Sequence, residues 1–540
     1  MKRPKRIDLD PEKMNEFLKR VKKRKLTNED YDIIEGMADT ITFLSHVVQH
    51  KKTSIGRLVR MLFGPPTEKL KKIFKKEDNK DDSDNSGACG PSGTLDDASH
   101  KKNKKQKGHG RNGSNIYKAA QKIPVSHSSL SPGDICPGCQ KGKVYEMTDP
   151  GVIVRFTGSS PLQATVYQLQ KLRCNLCGEI FKPDKAKEVE GEKYDETARA
   201  MIPILKYGSG LPFYRLQRLQ ENLGLPLPAS TQWDIVKTTA DRIQPVYKEL
   251  LRQAAQGEII HNDDTTMKIL ALIKGNAPDQ DEPGRRGIFT TGLLSILGDI
   301  KIALFMTGRK HAGENMDLLL QERQTDSTPP IQMCDALSRN IPNKFKTILA
   351  NCLTHGRRKF VDLIDSFPEE SRYVIRTLAN VYHHDKLAKE QNMSDKERLR
   401  FHQENSGPIM DELKTWLHAQ IDEKRVEPNS GMGKAIFYML RHWDELTLFL
   451  RVEKAPIDNN LCEQSLKMII CHRKNSLFYK TMNGAYIGDL FMSIIHTCNL
   501  NNVNPFDYLV ILQKYCSDVL KNPHLWLPWN YKSMAASANI

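Results

Sequence analysis

The sequence predicts a multidomain α+β protein with N-terminal helices, a small cysteine-containing unit and a larger α/β core. Three observations support this prediction. The 540 residues exceed what one core usually holds, because domains average about 100–200 residues. Two closely spaced cysteine pairs stand in the first third of the chain. Strand-like alternation from residue 258 onward is then followed by long amphipathic segments.

The composition excludes several classes of protein. No apolar run approaches the roughly 18–20 residues that cross a bilayer, so we expect no membrane span. The opening MKRPKRIDLD lacks the apolar stretch of a signal peptide, which favours the cytoplasm. An odd total of eleven cysteines in such a chain argues against a disulfide framework.

Positive charge is concentrated at the N-terminus. Residues 1–130 contain 29 Lys and Arg against 17 Asp and Glu, and so carry +12 of the formal net charge of +16. This asymmetry is typical of a nucleic-acid-binding segment attached to a nearly balanced body.

Residues 30–63 follow a heptad pattern that ends at Phe63-Gly64-Pro65-Pro66, because proline cannot continue a helix. Two interpretations remain open, a dimerising coiled coil and an amphipathic helix packed on its own chain. The apolar positions of the heptad pattern are Ile34, Met37, Ile41, Leu44, Val48, Ile55, Leu58 and Leu62.

The polar residues 75–128 predict a flexible linker, whose lysine-rich run at 101–107 either binds phosphates or is simply solvated.

Two cysteine pairs, Cys136-Pro-Gly-Cys139 and Cys174-Asn-Leu-Cys177, are separated by 34 residues with strand-like runs. Each pair on a tight turn can bring two thiolates to one ion, and two such turns complete a tetrahedral Cys₄ site. The spacing predicts a zinc ribbon with a structural Zn²⁺, since four thiolates leave no open position for chemistry. The alternative is two unrelated cysteine pairs.

Residues 195–250 predict three helices, at 196–207, 211–223 and from 231 onward, with glycines and prolines between them. Short helices joined by tight turns permit a helix-turn-helix-like region that reads DNA. A plain helical connector fits the same spacing.

From residue 258 the pattern predicts three antiparallel strands (258–270, 289–297 and 300–307), a helix at 315–324 and a strand at 331–334. This is the opening order of an RNase H-like fold, in which acids on the first and fourth strands lie side by side. The candidates are Asp263 and Asp335. A third acid, Glu463, follows the helix-start signal Asp458-Asn-Asn460.

Three such carboxylates can hold two Mg²⁺ ions about 3.5–4 Å apart, a geometry that serves displacement at phosphorus. Taken singly, each acid also has a structural interpretation. Asp263 beside Asp264 fits a turn, Asp335 fits a helix cap, and Glu463 fits a first-turn acid favoured by the helix dipole.

Several ordered motifs resemble bacterial DDE transposases of the insertion-sequence-66 family, from about residue 30 to the C-terminus. The resemblance includes the Cys₄ ribbon, and the other segments that carry it are Ile55–Gly64, Lys206–Arg215, Asn262–Thr265, Cys352–Phe360, Asp458–Glu463, Arg473–Phe478, Asn504–Leu509 and Leu527–Asn530.

The resemblance implies that Asp263, Asp335 and Glu463 are the catalytic acids of an enzyme that cleaves element ends and transfers strands. It also implies Mg²⁺ or Mn²⁺ as cofactor. The expected partners are double-stranded DNA, further copies of the chain as a homo-oligomer and accessory proteins of the element, with the protein on the bacterial nucleoid. The acids are 72 and 128 residues apart, and the larger gap predicts a helical insertion.

Basic clusters follow two of the acids. Arg357, Arg358 and Lys359 lie beyond Asp335 together with His355, and Arg473 and Lys474 lie beyond Glu463 together with His472. Beside a metal–carboxylate site such clusters favour contacts to the phosphate backbone, although solvated helix faces would look the same. His355 also fits a buried, hydrogen-bonded histidine, and we do not expect it to bind a metal.

These features predict eight regions and leave two rival functions. The rivals are a decayed or domesticated transposase that only binds DNA and an RNase H-like nuclease. The regions are 1–74 (helical or coiled coil), 75–128 (linker), 129–190 (zinc ribbon), 191–255 (helix-turn-helix-like), 256–364 (first part of the core), 365–450 (helical insertion), 451–498 (second part of the core, with Glu463) and 499–540 (C-terminal segment).

Overall fold

A computed structural model describes residues 192–273, 285–325 and 327–538 of the chain. It also describes 129–137, 139–145, 160–168, 170, 172–173, 180–181 and eleven positions between 17 and 37. The heptad positions from Ile41 onward, the linker at 75–128, Cys174 and Cys177 lie outside these residues. The chain divides into two compact units, Met1–Asp96 and Asp97–Ile540.

In the first unit, the buried Asp30 organises a helix start. Its carboxylate accepts hydrogen bonds from the Arg20 guanidinium at 2.8 and 3.1 Å and from the Thr27 backbone N–H at 3.0 Å. A charged pair with this two-point geometry fixes the orientation of both side chains.

The second unit is built on a five-stranded mixed sheet in the spatial order β5-β4-β3-β6-β7. Strands β3, β4 and β5 are antiparallel, whereas β6 and β7 run parallel to β3. A separate two-stranded antiparallel pair, β1 with β2, lies in the predicted ribbon region. The strands are β1 Leu172–Arg173, β2 Ile180–Phe181, β3 Ile259–Thr266, β4 Phe289–Leu297, β5 Ile300–Gly308, β6 Ile331–Cys334 and β7 Ile348–Asn351.

Helices surround this sheet. They are α1 Glu196–Pro203, α2 Phe213–Asn222, α3 Ala229–Ala254, α4 Leu270–Ile273, α5 Ala312–Leu320, α6 Leu353–Val361, α7 Pro368–Glu390, α8 Asp395–Asn405, α9 Gly407–Asp422, α10 Gly431–Arg441, α11 Trp443–Leu446, α12 Asn460–Ser476, α13 Met482–Leu500, α14 Pro505–Lys514, α15 Cys516–Lys521 and α16 Tyr531–Ala538. A π-helical turn, Ile204–Gly208, continues α1, and short 3₁₀ turns lie at Ser338–Asn340, Leu448–Leu450 and Pro523–Trp526. No helix within the described residues is both long and apolar enough to cross a membrane.

The chain is therefore a mixed α+β protein, and its core begins with the predicted order of three antiparallel strands, a helix and a fourth strand. Several boundaries differ from the prediction, and two of the differences have a clear cause. Strand β3 ends at Thr266 instead of residue 270, because the chain turns into α4. Helix α5 begins at Ala312 instead of residue 315, because Glu314 accepts the His311 backbone N–H and caps the first turn.

The three helices at 196–254 pack into the same core as the sheet. Helix α3 is 26 residues long and buries Val236, Ile243 and Leu250 completely. The helix-turn-helix interpretation stays a prediction. Residues 353–450 contain α6 to α11 and no strand, so the long gap between Asp335 and Glu463 is filled mainly by helices.

Edge strand β5 is protected by side chains of α13. Four residues spaced four apart, three in α13 and one immediately after it, accept hydrogen bonds from β5 backbone N–H groups spaced two apart. The spacings match because four helical residues advance about 6 Å and two strand residues about 6.6–6.8 Å. The pairs are Asp489 with Thr307 (2.7 Å), Ser493 with Phe305 (2.9 Å), Thr497 with Ala303 (3.1 Å) and Asn501 with Lys301 (3.2 Å). Sheet edges otherwise invite pairing with other chains.

We expect Thr497→Val to lower the free energy of unfolding by about 1–3 kcal/mol, because it leaves the buried Ala303 N–H without its acceptor. Chemical denaturation of the full chain measures this. Thr238→Val is the matched control, since Thr238 is exposed and bonds only within its own helix turn in the described structure. Equal stability of the two variants would contradict the edge-protection account.

Candidate active site

Strand β3 directs two adjacent aspartates to opposite faces of the sheet. Asp264 is buried on the α5 side, where it accepts hydrogen bonds from Thr291 Oγ1 at 2.6 Å and from the Ala312 N–H at 3.1 Å. His311 Nδ1 also lies 3.0 Å from Asp264. Asp264 therefore ties β3 to the start of α5, and Asp263 faces the other side of the sheet.

Asp335 emerges beside Asp263. The parallel pairing of β3 with β6 places His261 opposite Met333. Asp263 and Asp335 each stand two residues farther along, so both carboxylates leave the same face at the same end of neighbouring strands. The electrostatics agree with this placement, because the charge of Asp335 contributes to the raised pKa of Asp263.

Glu463 enters from the first turn of α12. The residue before α12, Asn459, is buried and fixes this end of the helix to β3. Its Nδ2 donates to the Asn262 carbonyl at 3.1 Å, and its Oδ1 lies 3.0 Å from His261 Nδ1. Asn459 thus contacts both residues immediately before Asp263. The sequence motif marked Asn459 as a helix-start signal but not as a tether to the sheet.

Gly292 allows α12 to lie close to the sheet. It is paired directly with Asp263 across β3 and β4, and a Cβ atom at this position would stand 2.8 Å from Leu466 Cδ2. The Cys462 thiol also donates to the Gly292 carbonyl at 3.4 Å. Glu463 follows Cys462, so this close contact brings the third acid toward Asp263.

His355, in the first turn of α6, contacts two of the three acids. Its Nδ1 lies 2.5 Å from Asp335 Oδ1 and 3.8 Å from Glu463 Oε1. On the other side of the ring, Arg358 Nη1 lies 3.2 Å from Nε2. The sequence predicted His355 as part of a basic cluster or as a buried, hydrogen-bonded histidine, but not its contacts with the two acids. The available signal was its position in the first helical turn after strand β7.

The acids share a buried environment that disfavours their negative charges. Burial, followed by the charge of Asp335, raises the pKa of Asp263 to about 7. Burial also raises the pKa of Glu463, while His355 and Arg358 oppose that shift. Burial disfavours the charged His355 ring, but its contact with Asp335 prevails and raises the pKa of His355 to about 10. The site therefore concentrates carboxylates and attracts positive charge.

A cleft of about 210 Å³ opens beside Asp335 and His355, and its wall includes Arg358, Lys359 and Tyr438. Lys359 is exposed, and its Nζ lies 4.1 Å from the centre of the Tyr438 ring. This arrangement combines positive charge with an aromatic ring at the border of the acidic site.

The basic residues predicted to bind DNA separate into an exposed group and a buried group. Lys359 and Lys474 are exposed, and Arg358 is partly exposed. Arg357 is only 8% exposed, and its contact with DNA stays a prediction. Arg473 is partly buried and bonds Thr265 Oγ1 at 3.0 Å and Thr266 Oγ1 at 2.8 Å, so it ties the end of α12 to β3.

His472 does not belong to a basic surface. It is 1% exposed and stacks between Tyr207 and Tyr479, with ring centroids 5.7 and 5.2 Å away. Burial lowers the pKa of His472 to about 3, so the ring is neutral. The prediction that it joins a phosphate-binding cluster was wrong, because the sequence does not show which side of α12 faces the core.

Cys136 and Cys139 lie on a tight turn. The Cys136 N–H donates to the Gly142 carbonyl at 2.7 Å, and the Gly142 N–H donates to Cys139 Sγ at 3.4 Å. Backbone donors, Gly142 first and then Lys141, lower the pKa of the Cys139 thiol. A turn with N–H groups directed at sulfur stabilises a thiolate, which is the form that binds metal.

Comparison with known proteins finds similar chains. An uncharacterized protein of Sinorhizobium fredii (strain NBRC 101917 / NGR234), y4jD, is 26% identical over 384 residues, which cover 67% of this chain and 71% of the relative. A second one from the same strain, y4hP, is 26% identical over 359 residues and covers 63% of this chain. The chain spans 62% of the length of y4hP.

Residues 192–487 match the family described as Transposase IS66 family. The matched segment contains β3 to β7, the helices between them, and Asp263, Asp335 and Glu463. It covers more than half of the 540 residues, and the chain belongs to the IS66 transposase family.

Proposed function

We propose that this protein is a DNA transposase that cuts the ends of its element and joins them to target DNA through Asp263, Asp335 and Glu463. The observation that carries the proposal is the convergence of the three acids, from β3, β6 and α12, on one face of the sheet. The strand order and the position of these acids support an RNase H-like core.

The residues fit divalent metal ions. Asp335 Oδ1 and Glu463 Oε1 are buried atoms without a well-oriented hydrogen-bond partner in the described structure. Such atoms are costly unless something else satisfies them, and carboxylate oxygens are the ligands that Mg²⁺ and Mn²⁺ prefer. A bound pair of these ions would supply activation of an attacking oxygen and stabilisation of the leaving oxygen at phosphorus.

The remaining side chains have distinct proposed tasks. Gly292 and Asn459 position Glu463, as their contacts with Leu466 and β3 indicate. Arg358 and Lys359 at the cleft would bind backbone phosphates of DNA close to the acids, and Lys474 would do so at the far end of α12. We propose a homo-oligomer on double-stranded DNA, with the basic residues 1–130 contributing to binding of the element ends and accessory proteins of the element assisting.

Replacement of any one of the acids, as Asp263→Asn, Asp335→Asn or Glu463→Gln, should lower the rate of strand joining by roughly a thousandfold or more, because several kcal/mol of metal-dependent stabilisation are lost. The assay combines full-length protein, Mg²⁺, a mini-element and a target plasmid.

Asp299→Asn serves as the control for this assay, since Asp299 is an exposed acid in the β4–β5 turn. Cleavage without joining in wild type would favour a nuclease. Specific DNA binding without cleavage would favour a decayed transposase. Full activity in any of the three acid variants would contradict the site assignment.

We also propose that Cys136 and Cys139 form half of a Cys₄ zinc ribbon completed by Cys174 and Cys177. The support is the turn geometry around Cys139 described above.

Purified protein should contain one tightly held Zn²⁺ per chain, and Cys139→Ser should lose it because a structural site needs all four thiolates. Elemental analysis of metal content measures this, with Cys471→Ser as the control because Cys471 is an exposed thiol on α12. A zinc content unchanged in Cys139→Ser would refute the ribbon.

A further inference from the structure

Three different donor atoms meet at the edge of the candidate active site. A carboxylate oxygen of Asp335, Cys352 Sγ and a ring nitrogen of His355 all lie within 4.8 Å of one another. Asp335 follows β6 and Cys352 follows β7, so the two neighbouring parallel strands deliver them side by side. The Cys352 N–H donates to the Cys334 carbonyl at 3.0 Å and fixes this arrangement.

The donor set does not match Mg²⁺, which prefers oxygen ligands. Thiolate and imidazole instead favour ions such as Zn²⁺, Co²⁺ and Cd²⁺. Bonds of about 2.0–2.3 Å place the ligands of a tetrahedral zinc roughly 3.3–3.8 Å apart. Modest side-chain adjustments would bring the three donor atoms, which lie within 4.8 Å of one another, to these distances.

Buried polar atoms without a well-oriented hydrogen-bond partner in the described structure also lie at this edge of the site. Asp335 Oδ1, His355 Nδ1 and Glu463 Oε1 are buried, and none has a well-oriented hydrogen-bond partner within the described structure. The 2.5 Å contact between Asp335 and His355 is therefore close but poorly aligned. A cation between these atoms would satisfy all three.

Cys352 Sγ is held in place beside the other two donor atoms. Cys352 is fully buried at the residue before α6, and its Sγ accepts the Asn459 backbone N–H at 3.3 Å. Asn459 thus links this thiol to the helix that carries Glu463.

We propose that Asp335, Cys352 and His355 form a binding site for a soft divalent cation, with Glu463 within reach as a fourth ligand. The site shares Asp335 with the proposed magnesium site, so an ion bound here competes with Mg²⁺. An effect of this ion on strand joining rests on the proposed function, whereas binding of the ion does not.

Titration with Co²⁺ of the full chain carrying a single Zn²⁺, in the proposed ribbon, tests the site. Wild type should show a thiolate-to-cobalt charge-transfer band that Cys352→Ser lacks. Cys352→Ser should also lower Co²⁺ affinity by more than roughly 100-fold, which exceeds the usual effect of losing a residue outside the ligand set. Cys471→Ser controls for thiol number, because Cys471 is exposed and remote from these donors in the sequence.

His355→Gln gives a second test at a partly exposed position, where folding is less at risk. It should keep the thiolate band but weaken Co²⁺ binding at least tenfold. A Co²⁺ titration of Cys352→Ser or His355→Gln that matches wild type would overturn the proposal.

Asp263→Asn separates the two proposals, since Asp263 is not among the three donors. It should abolish strand joining and leave the cobalt band intact. Loss of the cobalt band in Asp263→Asn would contradict a site built on Asp335, Cys352 and His355.

Discussion

The close packing of α12 against the sheet at Gly292 is the contact on which the candidate site depends. Asp263 and Asp335 come together through strand pairing alone, but Glu463 is 128 residues farther along the chain and needs a separate anchor. The missing side chain at Gly292 gives Leu466 room, and Asn459 fastens the helix start to the backbone before Asp263. Two local contacts thus complete a site whose parts lie far apart in sequence.

Concentrating three carboxylates in a buried space is unfavourable without positive charge. His355 and Arg358 supply it in this structure, and metal ions would supply it in the proposed enzyme. Asp489 offers a contrast within the same protein. Burial raises its pKa to about 7, but Thr307 satisfies its carboxylate through the backbone N–H and the hydroxyl. A buried acid whose two oxygens both accept hydrogen bonds serves the fold, whereas Asp335 and Glu463 each keep, within the described structure, a buried oxygen without a well-oriented hydrogen-bond partner.

Much of the core could be predicted because its signals are local. Strand alternation located β3 to β6, and helix-start residues located α12 beside Glu463. The remaining features depend on partners distant in sequence. No local pattern shows that Gly292 faces Leu466, that Asn459 bonds to β3, or that His472 lies between two tyrosines. The contact of His355 with Asp335 was missed for the same reason, since it requires the relative positions of β6 and α6.

The most direct test of the close-packing account is the affinity for Mn²⁺ of Gly292→Ala, with and without Leu466→Ala, measured by electron paramagnetic resonance. The added methyl group would stand 2.8 Å from Leu466 and push α12 away, so Gly292→Ala should weaken Mn²⁺ binding by roughly tenfold or more. Shortening Leu466 removes the obstructing atoms, so the double variant should regain much of the affinity. Wild-type affinity in Gly292→Ala, or no recovery in a folded double variant, would contradict the account.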